Sequence, residues 1–163
     1  MATRSAHLQI RITPADKRTL KRLARAAGQE LSSYVLSRAL PAHRLRFEQI
    51  LASLVEDDDH RYALAELNDL LTALAPVELP DAIEHADVAD LSPFLRNYVA
   101  AMVELAAHRS GLPPPPWARE IPPLEEPHFV TPLKSLRLHL LKSSPVPFKR
   151  RNIFVDASLG ARV

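Results

Sequence analysis

The sequence predicts a mainly α protein that opens on one short strand, continues through a helical middle and ends in a proline-rich, partly extended tail. Three observations carry this expectation. Apolar residues recur at helical spacing in successive blocks from Leu20 to about residue 110. Glycine occurs only three times, fewer than turn-rich β folds or phosphate-binding loops use. Of the fifteen prolines, all but five lie after residue 110, where they oppose regular helix and central strand alike.

Each element follows in order. Leu8, Ile10 and Ile12 alternate with His7, Gln9, Arg11 and Thr13, the period-two pattern of a half-buried strand. Thr13-Pro14 supplies a capping hydroxyl and a proline for the first helical position, with Asp16 where the helix dipole favours an anion. Leu20, Leu23, Ala24 and Ala27 give this helix an apolar stripe, and Gly28 stops it. Leu31-Ser32 reads as a hydrophobic residue and a new N-cap, so Tyr34, Val35 and Leu36 begin a second helix, which Pro41 ends or kinks.

Residues 43–56 and 60–75 read as two amphipathic helices, one with Phe47, Ile50, Leu51 and Leu54, the other with Tyr62, Leu67, Leu70, Leu71 and Leu74. The run Glu56 to Asp59 between them lacks the glycine and spaced oxygens of a calcium loop and fits acids gathered at a helix start. Ser92-Pro93 opens a longer helix that ends near Gly111. Beyond Leu112 the chain should be largely extended, with polyproline stretches, followed by a short helix around 132–142.

Charge is segregated along the chain. Residues 1–46 hold ten Lys/Arg against two acids, residues 47–110 three against thirteen, and residues 111–163 eight against four. Such asymmetry suggests different partners for different regions, with the basic start suited to a polyanion. With no cysteine, disulfides, thiolate zinc sites and thiol nucleophiles are excluded. No two of the seven histidines lie three or four residues apart, and no nucleophile elbow or phosphate loop is present. The expectation is therefore no enzyme, no catalytic residue, no metal and no cofactor. Without an apolar run of about 18 residues or a signal-peptide core, it is also no membrane partner and a cytoplasmic location.

An isolated strand cannot satisfy its own backbone, and nothing near residues 7–13 reads as its partner. Either the segment is an edge strand of an intramolecular fold, or the same strand of a second copy pairs with it. In the second case Leu8, Ile10 and Ile12 of both chains face a shared core. His7, Gln9 and Arg11 are then displayed in duplicate on a ribbon that fits the DNA major groove, where Arg and Gln match guanine and adenine edges.

Residues 7–40, about a fifth of the chain, resemble the ribbon-helix-helix DNA-binding proteins, in particular short antitoxin-type repressors. The shared pattern is a strand, a proline-led helix, then Gly28, Leu31, Ser32, Tyr34, Val35, Leu36, Ala39 and Leu40. The resemblance implies an obligate homodimer bound to operator DNA, with Gln9 and Arg11 reading bases and His7 and Thr13 at the margins. It places a phosphate clamp on Ser32 and Ser33 at the start of the second helix, and Arg4 in an arm along the DNA backbone or minor groove.

The implied organisation is a DNA-binding and dimerisation unit over 1–42, an acidic helical region over 43–111 and a partner-binding tail over 112–163. Around Pro147 to Val155 the tail is similar to that of bacterial antitoxins encoded beside nucleotidyltransferase-like toxins. That likeness implies a toxin partner, held by Trp117, Phe129, Phe148, Arg151 and Phe154. Prolines stiffen such a segment before binding, and aromatic residues and arginine anchor interfaces. The same apolar residues would equally serve to fold the tail back over the acidic middle. Two alternatives to an autorepressing antitoxin stand beside it. One is a ribbon-helix-helix regulator whose C-terminal region senses something else, and the other an enzyme or adaptor domain that uses the ribbon only to dimerise.

Overall fold

A computed structural model describes residues 9–39, 42–56 and 59–156. It is mainly helical. Helices α1 (Pro14–Ala26), α2 (Leu31–Ala39), α3 (Ala42–Glu56), α4 (Arg61–Ala73), α5 (Leu79–Ile83) and α6 (Pro93–Arg109) come first. Then follow α7 (Pro116–Glu120), strand β1 (His128–Phe129), a 3-10 turn (Lys134–Leu136), α8 (Arg137–Ser143), α9 (Val146–Arg150) and strand β2 (Ile153–Phe154).

The ends of α1 and α6 follow the same chemistry. Thr13 and Ser92 are N-caps whose hydroxyls accept from the N–H groups of Asp16 and Leu95, each with proline in the first turn. Both helices close in a Schellman motif on a left-handed glycine, Gly28 (φ 66°) and Gly111 (φ 68°). Gln29 N–H reaches Ala24 C=O and Leu112 N–H reaches Ala107 C=O, at 2.9 Å in both cases.

The core is organised around α6. Residues 97–103 are buried without a break, so this helix is enclosed on all sides rather than facing solvent on one. Its alanines at 100, 101 and 107 are fully buried and let neighbouring elements approach closely. Helix α4 packs on it from the middle of the chain and α7 and α9 from the tail. Phe47, Ile50 and Leu54 of α3 and Leu67 of α4 join Val99 and Val103 in one cluster, and Phe148, Ile153 and Val155 complete it. No described residue before Phe47 belongs to that cluster; Ala24 and Tyr34 are buried apart from it.

The tail is extended only in part: residues 112–115 and 121–127 hold no helix, and short helices interrupt and follow them. Pro116 and Pro147 sit in the first turns of α7 and α9, where a missing amide donor costs nothing. The helix expected over 132–142 is a 3-10 turn followed by α8, shifted toward the C-terminal side. The chain then returns to pair β2 with β1 in parallel, His128 opposite Ile153 and Phe129 opposite Phe154. His128 N–H donates to Asn152 C=O at 2.7 Å and Val130 N–H to Phe154 C=O at 3.2 Å.

Candidate nucleic-acid interface

Among the described residues, β1 and β2 form the one ladder, and residues 9–13 take no part in it. Two apolar residues of the expected strand are left outside any core: Ile10 is 59 % and Ile12 45 % exposed, and Leu23 on α1 is 41 % exposed. Gln9 and Arg11 are exposed as well. His7, Leu8 and the proposed arm residue Arg4 lie outside the described residues, as does Pro41.

Helix α1 sorts its side chains by charge. At roughly 100° per residue, Lys17, Lys21, Arg25, Arg18 and Arg22 occupy one arc of about 140°, while Leu20, Leu23, Ala24 and Ala27 occupy the next. All five cations are exposed, and Asp16 is the only acid between residues 9 and 29. Asp16 is engaged at the helix start, where the Thr13 hydroxyl donates to its carboxylate at 2.6 Å. Thr13 thus spends its side chain on the cap.

The start of α2 differs in one respect from the sequence reading. Tyr34 N–H donates to Glu30 C=O at 2.8 Å, so Glu30 stands at the N-cap and Ser32 lies inside the first turn. Ser32 is exposed and Ser33 half-buried. The helix start expected to clamp a phosphate therefore carries a carboxylate residue at its first position. That charge opposes a second anion at the same helix end.

The expected partner-binding residues of the tail sit within this chain's own fold. Phe148 is fully buried and meets Tyr98 edge-on at 5.2 Å between ring centroids. Burial pushes the Tyr98 phenol up from its ordinary pKa. Phe154 is buried and stacks on half-buried Phe129 at 4.8 Å, with the Arg137 guanidinium over the Phe129 ring. Trp117 is half-buried and its indole N–H donates to Ile83 C=O at 2.9 Å.

Arg151 is the most connected of them. Its Nη2 donates to Glu104 Oε1 at 2.6 Å and to Ala118 C=O, and its Nη1 donates to Asn97 Oδ1 at 3.1 Å and Ile121 C=O at 3.4 Å. The Nε alone is buried without an acceptor. Asn97 in turn donates to Pro93 C=O and Pro122 C=O, so one buried polar network joins α6, α7 and the tail.

No cluster of three or more His, Asp or Glu able to hold a metal occurs among the described residues. Asp59, from the acidic run, turns its carboxylate onto Arg61, accepting from Nε at 2.8 Å, Nη2 at 2.7 Å and the backbone N–H at 3.2 Å. The Arg61 side chain holds the Asp59 pKa down to about 2, and Asp59 raises that of Arg61. Asp59 thus serves the start of α4, while Asp57 and Asp58 lie outside the described residues. No described helix is long and apolar enough to cross a membrane.

No protein-family model, curated protein or solved structure matches this chain.

Proposed function

We propose that this is a dimeric ribbon-helix-helix DNA-binding protein. In this reading residues 7–13 of two copies pair as an antiparallel ribbon, burying Ile10 and Ile12 and aiming Gln9 and Arg11 at base edges. The single observation that carries it is the exposure of Ile10 and Ile12, a period-two apolar pair with no strand partner among the described residues, beside a helix with five cations on one arc. An apolar pair left in water favours association, and the cations supply the phosphate attraction that DNA binding requires. The test is binding to the DNA upstream of the chain's own gene. A saturable complex with a steep fall of affinity in salt supports the reading, and a chain that stays monomeric at micromolar concentration overturns it.

Within that class, the role proposed is the antitoxin of a bacterial toxin–antitoxin pair, repressing its own promoter and neutralising a toxin encoded next to it. A regulator without a toxin is the second reading. It is favoured by the inward packing of Phe148, Arg151 and Phe154, which makes the tail part of a folded body rather than a free wrapping segment. An adjacent reading frame whose product is lethal alone and harmless with this chain decides for the antitoxin. Removing the whole tail is a poor test, because Phe148, Ile153 and Val155 belong to the core; surface substitutions are needed instead.

A further inference from the structure

Helix α8 presents a stripe that the described residues leave in water. At roughly 100° per residue, Arg137, Leu141, Leu138 and Lys142 lie in that order across an arc of about 140°, and all four are exposed. The two leucines, Leu141 at 44 % and Leu138 at 63 % exposed, thus form a ridge with a cation along each edge. Leu140 is buried on another side of the helix, and the Ser144 hydroxyl, accepting from Val155 N–H at 2.9 Å, fixes the helix end to the strand segment. Residues 128–155 around the ridge contain no Asp or Glu.

A groove elsewhere on the same chain has the opposite relief and the opposite sign. It lies between α3, the loop after α5 and α7, encloses about 970 Å³, and has Leu51, Val55 and Trp117 in its apolar lining. Val55 is 49 % exposed there. Glu48, Glu84, Asp87, Asp90 and Glu120 edge it, all exposed, against one arginine, Arg44, which is bonded to Glu48 at 3.0 Å. Among the described residues no cation forms an ion pair with Asp87, Asp90 or Glu120. Exposed apolar surface rimmed by charge marks a contact site.

We infer that the α8 ridge of one copy docks in the α3–α7 groove of a second copy, and that the contact is returned about a two-fold axis. Leu138 and Leu141 then cover the lining around Val55, while Arg137 and Lys142 meet the acids at its edges. A second copy is the occupant because each chain carries both halves of the pair, matched in relief and in charge. Reciprocal docking uses both ridges and both grooves and closes at two copies, whereas a head-to-tail contact leaves one of each open and grows. The contact is separate from the ribbon of residues 7–13 and stands without it. One seven-residue helix per groove is small beside the roughly 1,200–2,000 Å² that stable interfaces bury. Without the ribbon, copies should therefore be monomeric at micromolar concentration and pair with a Kd on the order of 0.1 mM.

The experiment is sedimentation of the full chain carrying Ile12→Glu, which removes the ribbon, from about 1 µM to about 1 mM. Dimers should appear at the upper end and weaken as salt is added. Leu138→Glu and Val55→Glu should each weaken pairing about tenfold or more, with the melting temperature unchanged, since both side chains are exposed. Reversing the ridge edges (Arg137→Glu with Lys142→Glu) or the groove edges (Asp90→Lys with Glu120→Lys) should do the same, and reversing both in one chain should restore pairing. Because the chain has no cysteine, copies with Val55→Cys mixed with copies with Leu138→Cys should join through a short bis-maleimide, and a chain bearing both should give closed dimers. Monomers throughout the range, or dimers indifferent to Leu138→Glu and Val55→Glu, overturn the contact. A growing ladder of oligomers overturns the two-fold. Ridge-dependent binding to anionic phosphatidylglycerol vesicles by a chain that stays monomeric also overturns the proposal. None of these outcomes bears on the ribbon, which is judged by comparing the native chain with Ile12→Glu at micromolar concentration.

Discussion

Arg151 and Glu104 meet at 2.6 Å inside the protein, their side chains 6 % and 14 % exposed. The pair ties the tail to the middle of α6. Arg151→Met should cost about 3–5 kcal/mol, because it strands a nearly buried carboxylate along with Asn97 and two backbone carbonyls. Glu104→Gln should cost less, since the amide oxygen still accepts. The double substitution Arg151→Met with Glu104→Leu should recover part of the loss. Urea unfolding of the native protein, Arg151→Met, Glu104→Leu and the double substitution measures the coupling.

Phe148 and Trp117 separate core packing from hydrogen bonding within the same tail. Phe148→Ala opens a cavity against Tyr98 and Val99 in the enclosed cluster and should destabilise by about 3–5 kcal/mol. Trp117→Phe loses the bond to Ile83 C=O while keeping an aromatic ring, and should cost about 1 kcal/mol. Reversal of that order in thermal or urea unfolding would contradict the packing described.

The Asp59 carboxyl should titrate at about 2 in the native protein, read from its side-chain carbon shift by NMR. In Arg61→Ala it should return toward the ordinary value of 3.8. Because folding lowers this pKa, the Asp59–Arg61 contact is fully in place above about pH 4 and is lost as pH falls through 2. The pair is exposed, so the titration moves the start of α4 rather than the whole fold.

The proposed ribbon makes two separable predictions. Ile12→Glu should leave the protein monomeric in light scattering while the melting of the α3–α9 body is unchanged, since no described residue before Phe47 enters its core. Arg11→Ala should keep the dimer but cost about 1–3 kcal/mol in promoter affinity and relax base preference. Unchanged promoter binding by Arg11→Ala would remove direct base reading from the proposal.

What could be read from the sequence alone tracks how local each signal is. Thr13-Pro14 and Gly28, Ser92-Pro93 and Gly111 delimit α1 and α6 because capping depends on a few neighbouring residues. The stripes of α3 and α4 repeat over several turns and are equally legible, although Tyr62, expected on the apolar face, is 80 % exposed. Helices α5, α7 and α9 have five residues each and no period to detect. Their prolines, Pro80, Pro116 and Pro147, read as breakers in sequence and act as helix starters in the fold. For Phe148 and Arg151 the sequence leaves both an interface and a fold-back open, since their burial depends on α6, far away in the sequence. Aromatic residues and arginine anchor interfaces within a chain as well as between chains, and composition alone does not separate the two.

Ile153 and Val155 close a core whose other members come mostly from residues 47–106. During synthesis α3 to α6 therefore emerge with an apolar gap that stays open until β2 has followed them. A chain cut before Phe148 would keep that gap, so truncation within the tail unfolds the middle rather than merely shortening the protein.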